Sequence, residues 1–176
     1  ERTRHNAGAD LVLAFAQSLN TELKLESKFF GDTAKVMLDG HSLRLLIPST
    51  FMNHSGQSVA ALARFYQIPC ERILIVHDEL DLPPGSARFK KAGGHGGHNG
   101  LRDAIQCLGN KSDFARLRIG IGHPGNAKQV VDYVLKKASP KDQELISNSM
   151  VDAIRSLPLA VAGQWERAMN DLHSAN

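Results

Sequence analysis

The sequence predicts an α/β fold: one domain in which a mixed, twisted sheet carries helices on both faces. Three observations predict it. Amphipathic helical stretches alternate with short apolar, β-branched runs, the pattern that builds parallel strand pairs. A hairpin signal, Asp39-Gly40 between two strand-like runs, adds antiparallel pairing. The chain has 176 residues, 42% hydrophobic and 22% charged, which suits one proper core and is short for two. Residues 1–176 are therefore read as a single domain whose C-terminal part, from about 139 to 176, is helical.

Residues 7–20 place Leu11, Phe15 and Leu19 four apart, with Val12 and Ala16 alongside, which predicts an amphipathic helix. Residues 29–38 and 41–47 form the two arms of the hairpin, because both positions of an Asp-Gly turn need positive φ. Residues 51–67 read as a second helix, with Val59, Leu62, Ala63 and Tyr66 on one side and Asn53 and Ser55 as its caps. Arg72 to Val76 is a buried strand that ends in the polar trio His77-Asp78-Glu79, at the strand edge where open α/β sheets hold their chemistry. Pro83-Pro84-Gly85 forces a turn, and 86–90 alternates as a strand. A glycine-rich loop, 93–100, then feeds a helix over 101–108, and 116–121 alternates as another strand. A helix is expected over 127–138. Ser139-Pro140 opens the next, with serine as cap and proline in the first turn, and a kink or break is expected at Pro158.

Composition excludes some classes of function. No apolar run approaches the roughly 18 residues needed to span a bilayer, and the start does not read as a secretory signal. Cys70 and Cys107 lack metal-ligand or disulfide-framework spacing, which suits two free thiols in a reducing cytoplasm. Net charge is only +3, but 86–118 holds seven basic residues (Arg88, Lys90, Lys91, Arg102, Lys111, Arg116 and Arg118) against Asp103 and Asp113. A basic middle on a nearly neutral chain suits an anionic partner on one face; a merely solvated surface is the alternative.

Four clusters hold chemistry-bearing residues. His5, in Thr3-Arg4-His5-Asn6, is a general base or else a surface residue beside a helix cap; unperturbed imidazole titrates near pH 6.5. Asn53, in Phe51-Met52-Asn53-His54, can hold a developing oxyanion or simply cap a helix. Asp78 can orient a histidine, bind a metal, or solvate a loop. The glycine-rich loop, with His95, His98 and Asn99, permits close backbone approach to a ligand, yet it has neither dinucleotide-fingerprint nor P-loop spacing.

Taken in order, TRHNAG at 3–8, FMNHSG at 51–56, HDELDLPPG at 77–85, GGHGGHNGL at 93–101 and RLRIGIGHP at 116–124 resemble bacterial-type peptidyl-tRNA hydrolase. The likeness covers the chain up to about Ser139. It implies a monomeric, cytoplasmic enzyme without metal or cofactor that cleaves the ester between a peptide and the 3′ end of tRNA. It implies His5 as catalytic base, Asp78 as its support, and Asn53 and Asn99 as substrate ligands near the ester. Phe51, Met52 and His98 would line the same cleft, and Lys90 and Arg118 would face tRNA phosphates.

In one place the sequence departs from the family's pattern. The usual opening, an apolar strand ending in Gly-Leu-x-Asn-Pro-Gly followed by a tyrosine, does not precede the TRHN motif. The expectation is that a form carrying that strand is more active and more stable than the 176-residue one. Two rival readings remain: a non-catalytic RNA-binding module of the same fold, and a metal-dependent hydrolase built from His77, Asp78, His95 and His98.

Overall fold

The computed structural model describes residues 3–175, with Asn53 described by its backbone alone. A one-turn helix, Arg4–Asn6, leads into α1 (Ala7–Ser18). Then come β1 (Lys24–Glu26), β2 (Gly31–Leu38) and β3 (His41–Pro48), an antiparallel sheet in the order β1-β2-β3. The β2–β3 hairpin closes at the expected pair: Asp39 and Gly40 have φ of 50° and 83°, and Leu38 faces His41. A one-turn helix, Met52–His54, precedes α2 (Ser55–Phe65).

The mixed sheet is built from β4 (Leu74–Glu79), β5 (Ala87–Lys90) and β6 (Ala115–Gly120), with α3 (Asn99–Cys107) between the last two in sequence. Its order is β4-β6-β5: β6 runs parallel to β4 and antiparallel to β5. The expected strand over 72–76 runs on through Glu79, so His77 and Asp78 belong to the sheet itself and are buried. Alternation along β6 sends Leu117 and Ile119 to one face, with Ala87 and Phe89 of β5 as their cross-strand neighbours. These residues form the main core with Leu11 and Phe15 of α1 and with Val36 and Leu45 of the hairpin. The long α5 (Pro140–Val161) and α6 (Trp165–Ala175) complete that core with Ile146, Met150, Leu157 and Leu172. Each such side chain contributes about 1.5–3 kcal/mol when fully buried. On the opposite face, Leu101 of α3 packs with Ile73, Ile75 and Phe114 in a smaller cluster. Helices thus flank the mixed sheet on both sides, and α1 touches both sheets.

Two expectations about helix ends change and one holds. The helix expected over 127–138 shrinks to a single turn, Ala127–Gln129, and α4 (Val130–Val134). Carbonyls at its end turn to Arg4 instead, Tyr133 accepting from the guanidinium at 2.9 Å and Lys136 from the amide at 3.1 Å. Ser139 caps α5 as expected, its Oγ accepting from the Asp142 amide at 3.1 Å. However, α5 runs through Pro158 to Val161 and is closed by Gly163, whose φ of 79° lets the next amide, that of Gln164, reach back to the Leu159 carbonyl at 2.9 Å. Among the described residues no helix is long and apolar enough to cross a membrane.

Candidate active site

The site is assembled where α1 meets the end of β4. A Cβ on Gly8 would lie 2.2 Å from the Val76 carbonyl oxygen, so only glycine allows α1 to sit this close to the strand. That contact brings His5, three residues upstream, beside Asp78, two residues downstream. His5 Nδ1 lies 2.9 Å from Asp78 Oδ2, and His98 Nε2 lies 2.8 Å from Asp78 Oδ1. Asp78 is only 4% exposed. Burial pushes its pKa up, but the two imidazole hydrogen bonds win and hold the carboxyl well below the usual carboxylate range. An ionised carboxylate only accepts, so both facing nitrogens donate.

The two imidazoles are then not equivalent. His98 is also the N-cap of α3: its Nδ1 accepts the Leu101 amide at 3.2 Å. With Nδ1 accepting and Nε2 donating, His98 is neutral and both its nitrogens are spent. His5 has donated Nδ1–H to Asp78, which leaves Nε2 with a lone pair. His5 lies 5.2 Å from His98, and a third ring, that of His77, packs edge-on against His98 at 5.0 Å. The His77 Nδ1 bonds the Asp78 carbonyl at 2.8 Å, while its Nε2 is buried without a partner among the described atoms. Burial pushes the His77 imidazole down to about 4, so it stays neutral near neutrality.

Among the described residues, one group could hold a metal: His5, Asp78 and His98, whose ligand atoms lie within 4.8 Å of one another. It differs from the set weighed in the sequence. The His95 Nδ1 accepts the Gly97 amide at 2.9 Å, and His77 spends Nδ1 on backbone. Within the observed group, His98 keeps its proton on the nitrogen that a metal would need, because Leu101 already donates to the other.

The N-terminal end of α3 also braces the segment 51–54. Gly56 has no room for a Cβ, which would stand 2.4 Å from the Asp103 carbonyl oxygen, and its amide donates to Asp103 Oδ2 at 2.7 Å. Asp103 therefore satisfies this first-turn amide of α2, the task expected of Asn53 and Ser55; Ser55 Oγ instead donates to the Met52 carbonyl at 2.6 Å. Met52 is half-buried against Gly100, and Phe51 is 82% exposed. Asn99, the first residue of α3, is exposed next to His98. The side chain of Asn53 lies outside the described residues.

One strand over, Arg118 pairs with His77 on one side and Arg88 on the other. Lys90, two residues on from Arg88, shares that face, is exposed, and lies back over Gly93. Among the described residues neither Lys90 nor Arg118 makes an ion pair. Arg116 departs from this pattern. It is 1% exposed, stacks 4.1 Å from the Phe114 ring, and donates to the carbonyls of Ser112, Phe114 and Gly93, so it braces the root of the glycine-rich loop. Sequence reasoning passed over Arg88 as a site residue, although its alternation with Lys90 puts both on one face; nothing local marked His77 as the third ring. Cys70 is buried, with its thiol pushed up to about 11 chiefly by that burial, and Cys107 shifts the same way.

Comparison with known proteins agrees along the whole chain. A family model described as peptidyl-tRNA hydrolase matches residues 1–176. A protein of that name from Teredinibacter turnerae is 58% identical over 173 residues, covering 98% of this chain and 90% of its own. Another from Vibrio parahaemolyticus is 57% identical over 173 residues, covering 98% and 88%. The crystal structure of peptidyl-tRNA hydrolase from Acinetobacter baumannii matches with a TM-score of 0.93 at 48% identity, over 97% of this chain and 86% of that one.

Proposed function

We propose how this site works from one premise: the chain belongs to the peptidyl-tRNA hydrolase family and is an ester hydrolase. It hydrolyses the ester bond between a peptide, or an N-blocked aminoacyl group, and tRNA, which returns tRNA to translation. The observation that carries the mechanism is the asymmetry of the two imidazoles on Asp78. His98 has no nitrogen free, whereas His5 keeps a lone pair on Nε2. His5 is the general base: it takes a proton from water as the water oxygen bonds to the ester carbonyl. Asp78 holds its tautomer and stabilises the imidazolium that forms. When the tetrahedral centre collapses, the ester C–O bond breaks and His5 returns the proton to the departing ribose oxygen. The asparagines Asn53 and Asn99 bind near the ester, and a carboxamide donating to the oxyanion is worth about 3 kcal/mol of barrier.

Phe51 and Met52 line the cleft for the substrate, and His98 forms its wall while holding Asp78. Lys90 and Arg118 take the phosphates of the tRNA acceptor end. The working form is a monomer in the cytoplasm with neither metal nor cofactor. The test is turnover of an N-acyl-aminoacyl-tRNA in excess chelator. Free tRNA and N-acyl amino acid should appear at the same rate with and without chelator. Binding without turnover would instead mark an RNA-binding module, and activity lost to the chelator would mark a metal enzyme.

A further inference from the structure

The turn that carries His5 is short and is tied to another element besides α1 and β4. It is three residues long, and Thr3 at its N-cap makes no side-chain cap bond. Arg4 ties it to α4. The Arg4 amide donates to the Lys136 carbonyl at 3.1 Å, and its guanidinium Nη1 donates to the Tyr133 carbonyl at 2.9 Å. The same guanidinium lies 3.8 Å over the Tyr133 ring. Tyr133 is fixed in turn, its hydroxyl donating to the Ile121 carbonyl at 2.6 Å, just beyond the end of β6. A continuous path therefore runs from the mixed sheet through Tyr133 and Arg4 to the residue next in chain. On α4, Tyr133 and Val134 pack against the main core while Val131 and Leu135 are exposed.

We infer that Arg4 is a positioning residue for His5, and that Tyr133 is the platform on which it works. This rests on the reading of His5 as the base. Asp78 binds the imidazole at one point, which fixes a distance; Arg4 fixes the backbone from which the ring projects, and so the direction of Nε2. Lysine cannot replace it, because an ammonium lacks both the planar face that stacks on the ring and the fixed fork of donors.

The test compares Arg4→Lys, Arg4→Ala, Tyr133→Ala and the double variant Arg4→Ala/Tyr133→Ala in turnover of N-acyl-aminoacyl-tRNA. Tyr133→Phe, which keeps ring and carbonyl but cuts the hydroxyl bond to Ile121, isolates the last link of the path. Misplacing a catalytic group by about 1 Å can cost on the order of 100-fold. Arg4→Lys and Arg4→Ala should therefore lose roughly 10- to 100-fold in kcat with KM changed less than about threefold. The double variant should be no worse than Arg4→Ala, and Tyr133→Phe should lose less than Tyr133→Ala because the ring under the guanidinium is kept. In proton NMR, the Nδ1–H resonance of His5 should broaden in Arg4→Lys while the Nε2–H resonance of His98 stays sharp. Arg4→Lys within twofold of wild type, additive losses in the double variant, or simultaneous loss of both resonances would overturn the inference. Wild-type enzyme without turnover would instead overturn the function on which it rests.

Discussion

Two regions of the same small sheet treat charge in opposite ways. At the end of β4, the Asp78 carboxylate is buried and both its oxygens are taken by imidazoles. On the neighbouring strands, Arg118 and Lys90 present cations with no ion-pair partner among the described residues. The register joins the two regions, since His77 beside Asp78 pairs with Arg118. Charge satisfied inside the protein orients groups at short range and is little affected by salt. Charge left unsatisfied at the surface waits for an anion and is screened by salt. Arg116 and Arg118, two residues apart, repeat the contrast: the first spends its guanidinium on backbone carbonyls, and the second makes no such bond among the described residues.

The contrast breaks most sharply at Asp78. Asp78→Asn puts an amide N–H where one imidazole expects an acceptor, so His5 or His98 must change tautomer. Turnover should fall on the order of 10³- to 10⁴-fold, while tRNA affinity holds within about threefold. A loss under tenfold in kcat would show that the carboxylate does not set the tautomer.

A second effect is on stability against pH. The folded His77 titrates near 4, below the roughly 6.5 of an unfolded histidine. Between those values the unfolded chain takes up a proton that the folded chain refuses, so stability falls as pH drops from about 6.5 to 4. The Asp78 pKa is also lowered on folding, so its contribution is present above about pH 4 and is lost only at lower pH. Chemical denaturation should show a loss of up to about 3 kcal/mol across the upper window, flattened by His77→Asn. An unchanged slope in that variant would assign the loss elsewhere.

The smallest effect belongs to the open face. Arg118→Ala should raise KM roughly tenfold, lower the slope of log affinity against log salt by about one, and leave kcat unchanged. A matching fall in kcat would mean that Arg118 reaches the reacting centre.

What the sequence revealed follows the range of the interactions. The Asp39-Gly40 turn and the Ser139 cap were legible because each is closed within a few residues. The cap of α2 was not, since its carboxylate comes from Asp103, 47 residues away from Gly56. Pro158 suggested a break, but a proline near a helix end removes one hydrogen bond, while the stop itself needs the positive φ of Gly163. The motifs brought His5, Asp78, His98 and Asn99 into view together. Only coordinates show that Leu101 occupies the second nitrogen of His98 and so separates a base from a brace. In the same way Arg116 and Arg118 read alike in a strand, until Phe114 and the loop carbonyls bury one of them.

The central claim is that the free nitrogen of His5 performs the proton transfer and does not serve binding. Single-turnover hydrolysis and equilibrium binding of the same N-acyl-aminoacyl-tRNA, measured on wild type and His5→Ala, test it directly. The rate should fall by 10²- to 10⁴-fold or more with Kd changed less than about twofold. A variant that loses affinity in proportion to rate, or that still turns over at more than a tenth of the wild-type rate, would contradict it.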